Sequence, residues 1–231
     1  MAIDLFQSEA WFAHLLAHGF ERRPRHFPLP LAPGICLQLM QQAGGEPLSA
    51  LSNYYSCLYG PQGDAGTVSP EQWQAAAQAM KALPGGEVLR LQPLDADADW
   101  LPLLEASLTA AGYWTDRYFA FGNWYQPVPE GGFDAYWPAR PSALRSSVER
   151  GRRRLDKAGQ WRIDIYSQAS DALEGAIAAY EAVYAKSWKT PEPCPEFMPG
   201  LIRLAAHLGW LRLGVLWLNG EPLAAQLWLV C

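Results

Sequence analysis

Apolar residues recur at two spacings along the chain, and the spacing switches where turn-forming residues cluster. Trp11, Phe12, Leu15 and Leu16 sit at helical spacing and predict a short amphipathic helix over 8–18. Ser8 is its N-cap and Gly19 its stop. Residues 26–32 and 35–42 alternate around Pro33-Gly34 and predict two strands. Gly44-Gly45 leads into a third extended apolar segment, 48–58, carrying Asn53, Tyr54 and Tyr55. A Gly-, Pro- and Asp-rich loop follows over 60–69. Ser69-Pro70-Glu71-Gln72 is a helix start, with Ser at the N-cap, Pro at N1 and Gln at N3. That helix runs to Leu83 and stops at Pro84-Gly85-Gly86. A strand over 87–93, a helix over 98–111 capped by Asp97 or Asp99, and a strand-like aromatic stretch over 113–126 complete the first half. Pro127, Pro129, Gly131 and Gly132 read as a linker, so the expected domains are 1–132 and 133–231.

The second half is more regular. Leu144, Val148 and Leu155 make a narrow stripe on a helix that starts at Pro141-Ser142 and ends at Gly159. Trp161, Ile163 and Ile165 alternate as a strand. Ser170-Asp171 opens a long helix whose apolar positions run from Leu173 to Trp188. Pro191, Pro193 and Pro195 interrupt the chain before a helix over 196–208. Two strands, 210–218 and 222–231, flank Asn219-Gly220, a strong hairpin signal. Leu223 to Cys231 is apolar almost throughout, as a central strand is. A central strand that ends a chain is the mark of a fragment or a truncated product.

Composition narrows the classes. Half of the 231 residues are apolar, which supports a packed core and excludes wholesale disorder. No apolar run reaches the length of a membrane helix. Met1 to Asp4 lack the basic start of a secretory leader. Cys36, Cys57, Cys194 and Cys231 are scattered, which suits a reducing cytoplasm better than a disulfide scaffold or a zinc motif. The net charge of −5 disfavours nonspecific DNA binding. Yet Arg140, Arg145, Arg150, Arg152, Arg153, Arg154, Lys157 and Arg162 share one window with only Glu149 and Asp156 opposed. That window is either a solvated helix face or an anion-binding face for a phosphate-rich cofactor or an RNA backbone.

Single residues leave alternatives open. Glu181, Glu192 and His207 are candidate bases for deprotonating an amine, or surface groups. Trp188 is core or a cleft wall, and Lys189 a surface lysine or a substrate contact. Gln226, in an apolar strand, is a core hydrogen-bonder or a cleft residue. Tyr54 and Tyr55 either pack a sheet or bind substrate. His14 and His18 stand four apart but lack the intervening Glu of a zinc helix, so no metal is expected. No Gly-x-Ser-x-Gly elbow is present. The aromatic residues between Tyr113 and Trp137 either pack between lobes or stack on sugar rings.

Residues 144–159 (Leu-Arg-Ser-Ser-Val-Glu-Arg-Gly-Arg-Arg-Arg-Leu-Asp-Lys-Ala-Gly) resemble the Arg-rich helix of acetyltransferase-like proteins of the GNAT superfamily related to the Fem aminoacyltransferases and the CelD-type cellulose-biosynthesis proteins. Tyr184-Ala185-Lys186-Ser187-Trp188-Lys189 is similar to the helix-ending motif of that group. Gly209-Trp210-Leu211-Arg212-Leu213 through Gly220-Glu221-Pro222-Leu223-Ala224-Ala225-Gln226 is similar to its hairpin. The first half is similar in order, from Phe6-Gln7-Ser8-Glu9-Ala10-Trp11 to Asn53-Tyr54-Tyr55 and Tyr59-Gly60-Pro61. The resemblance implies an α/β (α+β) fold of two GNAT-like lobes, each a mixed, mostly antiparallel sheet flanked by helices. The first lobe would be degenerate and the second incomplete. It implies acyl transfer, most simply of acetyl from acetyl-CoA, to an amine such as an amino sugar or another cell-envelope or polysaccharide precursor. The donor would lie along the strand bearing Ala224, Ala225, Gln226 and Leu227, whose amides face a developing oxyanion. Tyr54, Tyr55, Trp188 and Lys189 are the expected substrate contacts. A Gly-rich pyrophosphate loop after the strand, found in many relatives, is missing from the sequence. Two rival readings remain: a noncatalytic carbohydrate-interaction protein, and a Fem-type transferase whose donor is aminoacyl-tRNA, for which the basic window would bind RNA. The general base and the oligomeric state are not legible.

Overall fold

The computed structural model describes residues 4–122 and 124–231. Met1–Ile3, where the search for a leader begins, and Asn123, within the aromatic stretch, lie outside the described residues. In chain order the first elements are α1 (Glu9–His18), β1 (Arg25–Ala32), β2 (Ile35–Gln41), β3 (Leu48–Ala50), α2 (Pro70–Ala82), β4 (Leu89–Arg90) and α3 (Leu101–Ala110). There follow α4 (Gly132–Tyr136), α5 (Ser142–Ala158), β5 (Trp161–Tyr166), α6 (Leu173–Ala185), α7 (Phe197–His207), β6 (Leu211–Leu218) and β7 (Glu221–Leu229). This is a mixed α/β architecture of two sheets with flanking helices. No helix among the described residues is long and apolar enough to cross a membrane.

The chain divides into two compact units. Residues 1–119 and 192–204, with Cys231, form one; residues 120–191 and 205–230 form the other.

The first unit holds a sheet in the order β1-β2-β3-β4. Its first two pairings are antiparallel and the β3–β4 pairing is parallel. Local signals set its helices. Ser8 Oγ accepts from the Trp11 amide at 3.1 Å. The Ser69 capping box closes in both directions, with the Gln72 side chain accepting from the Ser69 amide at 2.8 Å. Trp73, Leu15, Leu37, Leu39, Leu48, Met80 and Leu104 are fully buried. Each such side chain contributes about 1.5–3 kcal/mol by burial. Strand β2 is buried on both faces, since Leu37 and Leu39 alternate with the buried Gln38 and Met40.

Two expected strands of this half do not form as read. The third extended segment stops at Ala50, so Tyr54 and Tyr55 stand on a turn. Asn53 makes that turn: its Oδ1 accepts from the Tyr55 amide at 3.0 Å and its Nδ2 donates to the Gly19 carbonyl at 2.6 Å. A short polar side chain that satisfies the backbone locally competes with a ladder. The stretch 113–126 likewise pairs with no strand among the described residues. Its ring content raises β propensity, but propensity without a neighbouring edge builds no sheet. Trp114 is 95% exposed there.

The second unit holds the antiparallel sheet β5-β6-β7. Asn219 (φ 52°) and Gly220 (φ 88°) make the two-residue turn between β6 and β7. Both residues need the left-handed region that this turn demands. Leu213 faces Leu227, Gly214 faces Gln226 and Val215 faces Ala225. Helix α6 lies along β7 and β6. Its Leu173, Ala176, Ile177 and Ala179 are buried, as are Leu211, Leu213 and Val215 of β6. The alternate sheet positions, among them Ile163, Ile165 and Trp228, are exposed. The expectation of a central strand over 223–231 is corrected: among the described residues β7 has β6 as its one ladder partner, and it alternates between exposed and half-buried residues. Helix α5 ends at Gly159, whose φ of 149° and closeness to the Asn219 side chain both require glycine. That side chain accepts from the Gln160 amide at 2.9 Å and so ties the hairpin turn to the end of α5.

Candidate functional site

Ala224, Ala225, Gln226 and Leu227 lie in the middle of β7, opposite Leu216, Val215, Gly214 and Leu213. In an antiparallel pair each strand spends half of its N–H and C=O groups on its partner. The other half of those on β7 point away from β6 along an open edge. Gln226 is exposed rather than set in an apolar core. Its neighbour across the ladder is Gly214, which leaves room above the strand at this point. The segment therefore presents a row of unpaired amides beside small side chains. Such a row can pair with an extended, amide-containing ligand and can stabilise an oxyanion without any charged side chain.

Tyr54 and Tyr55 meet a residue that is remote in sequence. Both hydroxyls donate to Glu192 Oε2 at 2.5 Å. Burial, then the hydrogen bonds with the accepting Glu192 carboxylate and with Tyr54, push the Tyr55 hydroxyl well above the usual phenol range, so it stays a donor. The Tyr55 ring stacks on Phe197 with centroids 3.7 Å apart and planes 9° apart. Tyr54 lies 3.9 Å from Tyr55 on one side, and His14 4.6 Å from Phe197 on the other. Phe197 is fully buried at the start of α7. The result is a column of rings beside a carboxylate gripped by two phenols. Glu192 was legible as a candidate base, but its tyrosine partners were not, because nothing in the spacing links positions 137 and 138 residues apart. Phe197 carried no signal beyond its apolar character.

His14 is structural. Its Nε2 donates to the Phe197 carbonyl at 3.0 Å, which fixes the tautomer. Burial, helped by the neighbouring His18 ring, lowers its pKa to about 4 despite that hydrogen bond. Among the described residues no group of three His, Cys, Asp or Glu side chains is placed to hold a metal.

Trp188 and Lys189 follow the end of α6. Trp188 is 94% exposed, which corrects its reading as core. Lys189 Nζ stands 5.4 Å over the Tyr184 ring, whose hydroxyl donates to the Thr190 carbonyl. Glu181 and His207 are both exposed. Tyr54, Tyr55 and Glu192 thus belong to the first unit, and Trp188, Lys189 and the β7 residues to the second.

Residues 142–231, from the start of α5 through β7, match the family model of the GNAT acetyltransferase domain. No curated protein and no solved structure matches the chain significantly. The C-terminal part of the molecule is accordingly similar to a GNAT acetyltransferase domain, a class whose members generally use acyl-CoA.

Proposed function

We propose that this protein is a cytoplasmic N-acyltransferase that moves an acetyl group from acetyl-CoA to an amine. The observation that carries the reading is the open edge of β7 inside the matched domain. Outward amides of Ala224 to Leu227 pair with the amides of the donor's pantetheine arm and face the thioester carbonyl. When the amine attacks that carbonyl, negative charge collects on its oxygen, and fixed N–H groups stabilise it with little reorganisation. The C–S bond then breaks, the thiolate leaves, and the proton given up by the amine protonates it. The attack is direct, in a ternary complex, since the sequence offers no activated nucleophile.

The acceptor is an amino sugar or a related cell-envelope or polysaccharide precursor, in keeping with the resemblance to the Fem and CelD groups. Tyr54 and Tyr55 serve acceptor recognition, the carboxylate of Glu192 beside them suiting an ammonium and the rings suiting a sugar face. Trp188, bare of packing, and Lys189 add contacts to polar substrate groups.

Thermal denaturation of the full chain with acetyl-CoA, against ATP as control, tests the donor. Binding to the native state at a hundredfold excess over Kd adds about 2.7 kcal/mol and raises the melting temperature saturably. A cooperative melt that acetyl-CoA leaves unmoved overturns the reading. The exposed rings of Trp114, Tyr118, Phe119 and Tyr125 support a second one, a noncatalytic glycan binder. That reading is carried instead if the chain retains glycans with no thioester present.

A further inference from the structure

Helix α5 has an apolar stripe that is largely uncovered: Leu144 and Val148 are exposed, and Leu155 is half-buried. Leu144, Val148 and Leu155 recur with Gly151 and Ala158 along one side of its 17 residues, yet no residue of the helix is buried. Leu144 is 45% and Val148 50% exposed. Successive residues step by 100° around a helix, which sets Arg145 and Arg152 along one border of the stripe and Arg150 and Arg154 along the other. With Arg153 and Lys157 the helix bears six cations against Glu149 and Asp156, in a chain whose net charge is −5. Its acids neutralise little: Arg153 lies 3.9 Å from Glu149, and Asp156 accepts from the Trp161 indole. Upstream in the same unit, Tyr125, Val128 and Phe133 are between 68% and 87% exposed.

We propose that α5 is an interfacial helix that lies on an anionic lipid surface, its apolar stripe seated at the headgroup boundary and its flanking arginines on lipid phosphates. This role is independent of the transferase reading. Three features on one helix point to it: a thin apolar stripe, arginine on both borders, and low overall hydropathy. The exposed rings upstream are of the kind that settles at a membrane–water boundary. A nucleic-acid backbone accounts for the arginines but leaves the stripe without a partner. A second copy of the chain is disfavoured by size. Three partly exposed aliphatic side chains supply a few hundred Å² at most, against about 800 Å² on each side of a stable dimer.

Cosedimentation of the full chain with vesicles tests this. Vesicles of phosphatidylcholine with an equal part of phosphatidylglycerol should pull the protein down, and vesicles of phosphatidylcholine alone should not. High salt should release it. Arg152→Gln with Arg154→Gln should weaken binding roughly 30-fold, at about fivefold per charge. Leu144→Ser with Val148→Ser keeps every charge and should weaken it at least ~10-fold. These side chains are exposed, so both variants should fold, which circular dichroism and a melt will check. The proposal is overturned if the mixed vesicles retain nothing, or if the serine variant binds them like the wild type. It is also overturned if the serine variant loses a dimer seen by sedimentation velocity, since the stripe then serves a second copy. Equal loss of a single-stranded RNA oligonucleotide and of vesicles in the arginine variant, with the serine variant unimpaired on both, overturns it in favour of RNA.

Discussion

The two central strands, β2 and β6, were built from similar apolar alphabets and met different fates. Strand β2 is buried on both faces, with Leu37 and Leu39 on one and Gln38 and Met40 on the other. Strand β6 is buried on one face, through Leu211, Leu213 and Val215, while the sheet around it shows Ile163, Ile165 and Trp228 to solvent on the other. The first unit gathers helices and the returning segment 192–204 around its sheet. In the second, α6 lies along the sheet and α5 buries none of its residues. The difference teaches that an apolar pattern specifies a face that can be covered, and leaves open whether this chain covers it.

Substitution can break that contrast. The largest effect should come from Trp73→Ala, which removes a fully buried indole from the first unit. We expect a loss of about 3–5 kcal/mol in chemical denaturation. Trp228→Ala in β7, where the ring is 61% exposed, should stay within roughly 0.5 kcal/mol. Equal losses at the two sites would mean that the open sheet face is covered in solution, and the contrast would fail.

An acid titration sharpens it next. His14 has a folded pKa of about 4, below its ordinary value of 6.5. As pH falls from 6.5 toward 4, the unfolded chain takes up this proton first, so stability is present above 6.5 and is lost down to about 4. Full burial would make the loss about 3.4 kcal/mol, and partial hydration of the ring trims it to about 2 kcal/mol. Denaturation midpoints across that window should fall for the wild type and fall less for His14→Gln. An unchanged slope in the variant would remove the buried histidine from the account.

The smallest expected effect is at the Ser69 cap. Ser69→Ala opens a capping box that closes in both directions and should cost about 1 kcal/mol. A cost near zero would show that packing of Trp73 and Met80 alone holds α2.

Local chemistry was legible. Ser8 and Ser69 as caps, Gly159 as a helix stop and Asn219-Gly220 as a hairpin turn all act as read, because each is decided by the backbone within a few residues. So was the class of fold, and the family model agrees for the C-terminal part. The strand bearing Ala224 to Leu227 was legible from the Asn219-Gly220 turn, whereas its choice as a donor site came from the family resemblance alone. The extension past Ala50 fails because the Asn53 side chain closes a turn there, and the strand over 113–126 fails for another reason. Aromatic content marks a willingness to extend, and a strand also needs an edge to pair with.

What the sequence determined by itself is the helix caps, the turns and most of the helices and strands, the charge of α5 and the likeness of residues 142–231 to a GNAT domain. These depend on interactions between near neighbours, whose energies the order of residues sets directly. What only the tertiary structure decided is company: Glu192 between Tyr54 and Tyr55, Phe197 against Tyr55, β7 at an edge, and the stripe of α5 left largely bare. Contacts across more than a hundred residues depend on how whole elements pack, and burial is a property of the assembled surface rather than of any segment.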